Sequence, residues 1–119
     1  MTSRTRILIS TIAIAGAAWA GAATAGSVAD FYKGKTITLI VGSGAGGGFG
    51  LNGRLVGNHL GKHIPGNPEI VMQFMRGGGG TKAANYVYNV SPKDGTVISM
   101  PISSIVENQL LRPKGSRFD

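Results

Sequence analysis

The 119-residue chain contains no cysteine. That excludes disulfide bonds, thiolate metal sites and thiol nucleophiles, so the fold must rely on its apolar core. Acidic residues are scarce, five against twelve lysines and arginines, and none are paired for acid–base work. The only histidines, His59 and His63, stand four apart but lack the intervening glutamate of an HExxH motif and a third ligand, so a surface pair is expected and no metal site. There is no GxSxG elbow, and Ser43, Ser103 and Ser104 lack a His–Asp partner set. These absences argue against an enzyme; what remains is binding chemistry, with no cofactor required. Aromatics make up 7% of the chain and do not interleave with the basic residues, which form no dense run. A nucleic-acid-binding arm is therefore not indicated.

The chain also lacks an apolar run of the ~20 residues that a membrane-spanning helix needs. Its N-terminus instead has the three parts of a secretory signal: Arg4 and Arg6, the uncharged apolar stretch from Ile7 to Ala18, and small residues at Ala23-Thr24-Ala25. Residues 1–25 are expected to be a signal peptide directing the chain to the periplasm, with Ser27-Val28-Ala29 as a second cleavage site. Loss of Arg4 and Arg6 leaves ten basic residues against five acidic, a net charge of +5. This surface is read mainly as solvated, with a field that favours anionic ligands as the sharper reading.

Glycine is abundant, with 20 residues, and it organises the rest. Thr36 to Val41 is apolar on both parities, which predicts a strand buried on both faces, as in a parallel sheet. It runs into a turn with glycines at 42, 44, 46, 47, 48 and 50. A helix is predicted from near Leu51 to Ile64, with apolar residues at 51, 55, 56, 60 and 64. Backbone N–H groups in such a turn, and at a helix start, suit a negative charge. Pro65-Gly66-Asn67-Pro68 stops the helix. Ser27 to Lys35 is read as a polar lead-in, with Phe31 and Tyr32 packed on the first strand's edge.

A second strand is predicted over Glu69–Met75, followed by a second glycine turn, Arg76 to Thr81. A helix over Thr81–Val90 should point Ala83, Ala84, Val87 and Tyr88 or Val90 inward. Ser91 to Gly95 forms a turn in which Asp94 bonds local backbone. A third strand, Thr96–Met100, leads to a helix ending at Leu111 and capped by Ser103 or Ser104. The order β-α-β-α-β-α implies an α/β fold: a parallel sheet, right-handed crossovers and helices on both faces. Each glycine- or serine-rich turn then lies at the C-terminal strand edge, where ligands bind in such sheets.

Gly42-Ser43-Gly44-Ala45-Gly46-Gly47 also fits the dinucleotide pattern GxGxxG. The acidic ribose partner near the end of the second strand is absent, and Gln73 and Arg76 stand there instead. Arg76 suits a 2′-phosphate, which keeps an NADP-binding oxidoreductase domain as an alternative, although export argues against it. A non-catalytic interaction module, docking through an open sheet edge, is the other.

Several spaced motifs carry a family likeness. Thr36 to Val41 with Gly46-Gly47-Gly48 and Gly53-Arg54-Leu55, then Ile64 to Pro68, Gly77 to Gly80, Ala83-Ala84-Asn85-Tyr86, Pro92 to Thr96 and Arg117-Phe118-Asp119 follow in order. Together they resemble the tripartite tricarboxylate transporter substrate-binding proteins, the Bug family. The resemblance covers about Asp30 to the last residue. It implies an extracytoplasmic solute receptor whose two α/β lobes close on a small carboxylate (a di- or tricarboxylate or an aromatic acid) and deliver it to membrane transporter subunits. Family members are longer, so residues 26–119 are expected to be the opening part of lobe one, binding weakly without the second lobe.

Carried onto matching positions, the resemblance places ligand contacts at Ser43, Gly44, Ala45, Gly46, Gly47 and Gly48, at Gly77, Gly78, Gly79 and Thr81, and more weakly at Ser103 and Ser104. Two positions depart from the family pattern. Gly50 stands where an acidic residue is common, and Arg76 replaces the proline of a Pro-Gly-Ala-Gly loop and adds a carboxylate partner.

Overall fold

A computed structural model describes residues 27–111 and 113–118. The predicted signal peptide lies outside the described residues, as do Arg112 and Asp119. No helix among the described residues is long and apolar enough to cross a membrane.

Three parallel strands form the sheet: β1 (Thr36–Val41), β2 (Glu69–Phe74) and β3 (Val97–Met100), in the order β2-β1-β3. β1 pairs with β2 from Thr36↔Glu69 to Val41↔Phe74 and with β3 from Thr38↔Val97 to Val41↔Met100. The core sits on the central strand. Ile37, Leu39, Ile40 and Val41 are buried, as the two-parity apolar pattern predicts, and Ala83 joins them.

Among the described residues four α-helices accompany the sheet: α1 (Val28–Tyr32), α2 (Gly47–Leu60), α3 (Thr81–Asn89) and α4 (Ile105–Leu111). The chain steps outward from β1 to β2, then back across β1 to β3. With right-handed crossovers, that reversal puts α2 and α3 on opposite faces. The contacts agree. A Cβ on Gly53 of α2 would meet the Val41 side chain at 2.8 Å, whereas Gly42, one residue on, faces Ala83 of α3. α4 packs on α3.

Three expectations need correction. The lead-in, read only as polar, contains a helix: Ser27 caps α1 by accepting from the Asp30 amide at 3.1 Å. Tyr32 then reaches Gly95, its hydroxyl donating to that carbonyl at 3.2 Å, while Phe31 stays exposed. α1 thus lies under the N-terminal edge of the sheet, against the turns at Gly66 and Gly95.

The second correction concerns α2, which starts at Gly47, four residues before Leu51, and ends at Leu60, with a 3₁₀ turn over Gly61–His63. Its buried residues are Gly50, Gly53 and Gly57. Leu51 and Leu55 point outward, 66% and 61% exposed, and Val56 is exposed too. The helix backbone lies close to the sheet: a Cβ on Gly53 would meet the stiff Val41 side chain at 2.8 Å, and one on Gly57 would push aside the Met72 sulfur at 2.9 Å. The third correction lies on α3, where Ala83 turns inward but Tyr88 and Val90 are exposed.

Asp94 behaves as the turn chemistry predicts. Its Oδ1 accepts from the Thr96 hydroxyl at 2.6 Å and from the Thr96 amide at 3.0 Å. The Thr96 hydroxyl, and then its amide, hold the Asp94 carboxyl below its ordinary pKa. A lowered carboxyl pKa stabilises the fold above the unfolded value of ~3.9, and this contribution is lost as pH falls through the lower folded value. Asp94→Ala is therefore expected to lower the thermal midpoint at neutral pH, with the gap to the unsubstituted protein narrowing as pH falls below the unfolded carboxylate value of ~3.9. A gap unchanged down to the acid limit would contradict this origin.

The glycines of α2 make a sharper prediction. Gly48 has open space where a Cβ would go, but one on Gly50 would lie 2.7 Å from the Gly44 carbonyl oxygen and closer still to that of Ala45. Gly48→Ala should stabilise by ~0.4–1 kcal/mol, and Gly50→Ala should destabilise by ~1–3 kcal/mol, both read by denaturant unfolding.

Candidate functional site

The C-terminal strand edge gathers the predicted residues. The loop leaving β1 turns to the α2 face, and the loop leaving β3 turns to the opposite face, where α4 joins α3. Adjacent strands whose loops diverge in this way open a crevice between them, the usual ligand position in an open α/β sheet. Gly42 marks its floor. Its amide donates to the Met100 carbonyl at 3.2 Å. A Cβ there would lie 3.6 Å from Gly80 Cα and 3.7 Å from the Ile102 nitrogen. All three turns therefore meet at one point.

The first turn is rich in free donors. Among the described residues, no backbone carbonyl accepts from the amides of Ser43, Gly44, Ala45 or Gly46. Gly46 takes the N-cap position of α2 in extended conformation with no side chain to cap the helix, and the first turn of α2 carries no acid. The leading N–H groups of α2 thus add their partial positive charge. Gly47 takes φ +78, in the region that favours glycine, and Gly46, Gly47 and Gly48 are exposed with open space at their Cβ positions. Ser43 is half-buried, and its hydroxyl donates to the Gly44 carbonyl at 3.2 Å, so it contributes locally.

The second turn is built differently. Gly77, Gly78, Gly79 and Gly80 all have positive φ, at +142, +54, +58 and +87. No residue with a side chain runs through four such positions without strain, which explains the glycine tract. The turn uses some of its donors internally, while among the described residues no backbone carbonyl accepts from the amides of Gly77, Gly78 or Gly79. The amides of Gly80 and Lys82 donate to the Gly77 carbonyl at 3.0 and 3.4 Å, and that of Thr81 to Gly78. It is braced from within as well as open to solvent. A surface cavity of about 550 Å³ opens beside it, lined by Gly77, Gly78, Thr81, Lys82, Asn85, Asn108 and Gly115.

Of the two serines in the third turn, Ser103 is exposed. Ser104 holds the cap position by its backbone, its carbonyl accepting from the Asn108 amide at 2.9 Å. Its hydroxyl turns away to donate to the Gly79 carbonyl at 3.4 Å.

Two residues that sequence reasoning left out of the candidate set matter here. Asn108 on α4 donates through Nδ2 to the carbonyls of Gly79 at 2.9 Å and Gly78 at 3.4 Å. No local signal marks it, because its partner lies 29 residues away. Arg76 was noted as a charge, but its path was not legible: the arm crosses Gly44, with Cδ and Nε 2.9 and 3.2 Å from where a Gly44 Cβ would sit.

Two positions of the dinucleotide pattern are built differently in this geometry. The second glycine of GxGxxG should leave room for a pyrophosphate, yet the Arg76 arm lies over Gly44. The third should pack helix on strand, yet Gly47 touches nothing, and Gly53 does that work. The His59 ring nitrogen Nδ1 lies 2.9 Å from the Leu55 carbonyl oxygen, which accepts from it in the tautomer protonated there, and no group of three metal-ligating side chains occurs among the described residues.

Asn108→Ala should cost about 1 kcal/mol of stability in urea denaturation, the value of a modest hydrogen bond. Asn58→Ala, an exposed site on α2, should stay within about 0.5 kcal/mol of the parent. Equal effects would mean that Asn108 does not tie the glycine turn to α4.

Comparison with known proteins assigns no family to this geometry: no protein-family model, no curated protein and no solved structure matches the chain.

Proposed function

We propose that the chain is the first-lobe portion of an exported receptor that captures a small carboxylate and passes it to a membrane transporter, as its resemblance to the tripartite tricarboxylate transporter substrate-binding proteins implies. The observation that carries this reading is the set of free amides from Ser43 to Gly46 at the open, uncapped start of α2. Such groups suit a carboxylate, directly or through ordered water. Without Arg4 and Arg6 of the predicted signal peptide the chain carries a net charge of +5, which favours the approach of anions. The second glycine turn and Ser103 border the crevice and shape it.

In a two-lobed receptor this edge is one wall of the cleft. The facing lobe would supply the remaining contacts, and ligand would favour closure by touching both walls. One wall alone binds weakly. Titration of the isotope-labelled chain with citrate, succinate and benzoate, followed by amide chemical shifts, is expected to move the resonances of Ser43 to Gly48 with millimolar affinity, about −4 kcal/mol. No movement at these positions with any of the three would overturn the proposal.

A further inference from the structure

We infer that Arg76 is the specificity-determining residue of this edge, pairing its guanidinium directly with a ligand carboxylate; this rests on the carboxylate-receptor reading above. The inference comes from how the side chain is placed. The ladder between β1 and β2 continues one residue past the strands, with the Met75 amide donating to the Val41 carbonyl at 2.9 Å. Arg76 is therefore delivered beside the first glycine turn by the sheet itself. Its arm then crosses Gly44, and the near contact at Cδ and Nε means that Gly44 must lack a side chain for the arm to pass. The guanidinium end is carried to the turn whose amides are free.

Among the described residues, few acids lie on its side of the sheet. The first turns of α2 and α3 hold no acid. Of the described acids, Asp30 lies in α1 beneath the sheet, Glu69 opens β2, and Asp94 is engaged by Thr96 before β3, all at the N-terminal edge. Glu107, in the first turn of α4, is the one described acid placed toward the C-terminal edge. A second cation, Lys82, lays its stem on Gly77, with Cδ 3.3 Å from where a Cβ would sit. A guanidinium offers two parallel N–H donors matched to a carboxylate, a geometry that neither an ammonium nor a neutral amide reproduces. The site should therefore distinguish a carboxylate from its uncharged carboxamide analogue more sharply than free amides alone would.

The test is a titration of the labelled chain with succinate and with its diamide, succinamide, following both the turn amides and the Arg76 Nε–H resonance. Succinate is expected to move both, and succinamide neither. Arg76→Gln should weaken succinate binding about tenfold, the loss of one charge-assisted contact, and flatten its dependence on ionic strength. Arg76→Lys should recover only part of the affinity. Lys62→Gln removes the same charge from the exposed far end of α2 and should leave binding within about twofold. Turn amides that move while the Arg76 Nε–H does not, or succinate affinity unchanged in Arg76→Gln, would overturn the role of Arg76 and leave the receptor reading standing. No movement of the turn amides with succinate would overturn both.

Discussion

The close approach of α2 to the sheet is the constraint on which the rest depends. Gly50, Gly53 and Gly57 form the inner face of the helix, so its backbone rests almost directly on Val41 and Met72. Glycine in a helix interior costs up to about 1 kcal/mol per residue relative to alanine. Here that cost is offset by contact that a larger residue would prevent. With the helix so near, the chain between the end of β1 at Val41 and the start of α2 at Gly47 must fold back sharply. The Gly44 and Ala45 carbonyls then crowd over Gly50, and the amides of Ser43 to Gly46 are left without a backbone acceptor among the described residues.

The same geometry explains why the two glycine turns differ in kind. The first is open because its amides have no carbonyl to meet. The second closes on itself through Gly77 and is tied to α4 by Asn108 and Ser104. The second turn is the more tightly braced of the two, and the reversal of chain direction in the order β2-β1-β3 brings both to one crevice. Gly50 takes on a different meaning in this light. The family pattern suggested a missing carboxylate, but the crowding at this position leaves no room for any side chain in this chain's own turn.

Much of the scaffold was legible in the sequence. The bounds of β1, the parallel sheet and the alternation of strands and helices follow from a two-parity apolar run and from glycine and proline stops, which are local signals. The face of α2 was not. Leucines at helical spacing ordinarily mark the inner side, and only the distance between helix and sheet shows that glycines take it here and send Leu51 and Leu55 outward. α1 escaped notice because five residues are too few to show a period. At the site, the glycine turns could be read from the sequence, but the difference between free and used amides could not. That difference, like the crossing of Arg76 over Gly44, depends on residues that the fold brings together from distant parts of the chain.

Native-state hydrogen exchange, read amide by amide, tests the central claim most directly. The account predicts that the amides of Ser43, Gly44, Ala45 and Gly46 exchange nearly as fast as unstructured chain, immediately beside a β1 segment, Ile37 to Gly42, that exchanges slowest of all. Protection at Ser43 to Gly46 comparable to that of β1 would mean that these donors are already bonded within the protein, and would contradict the account.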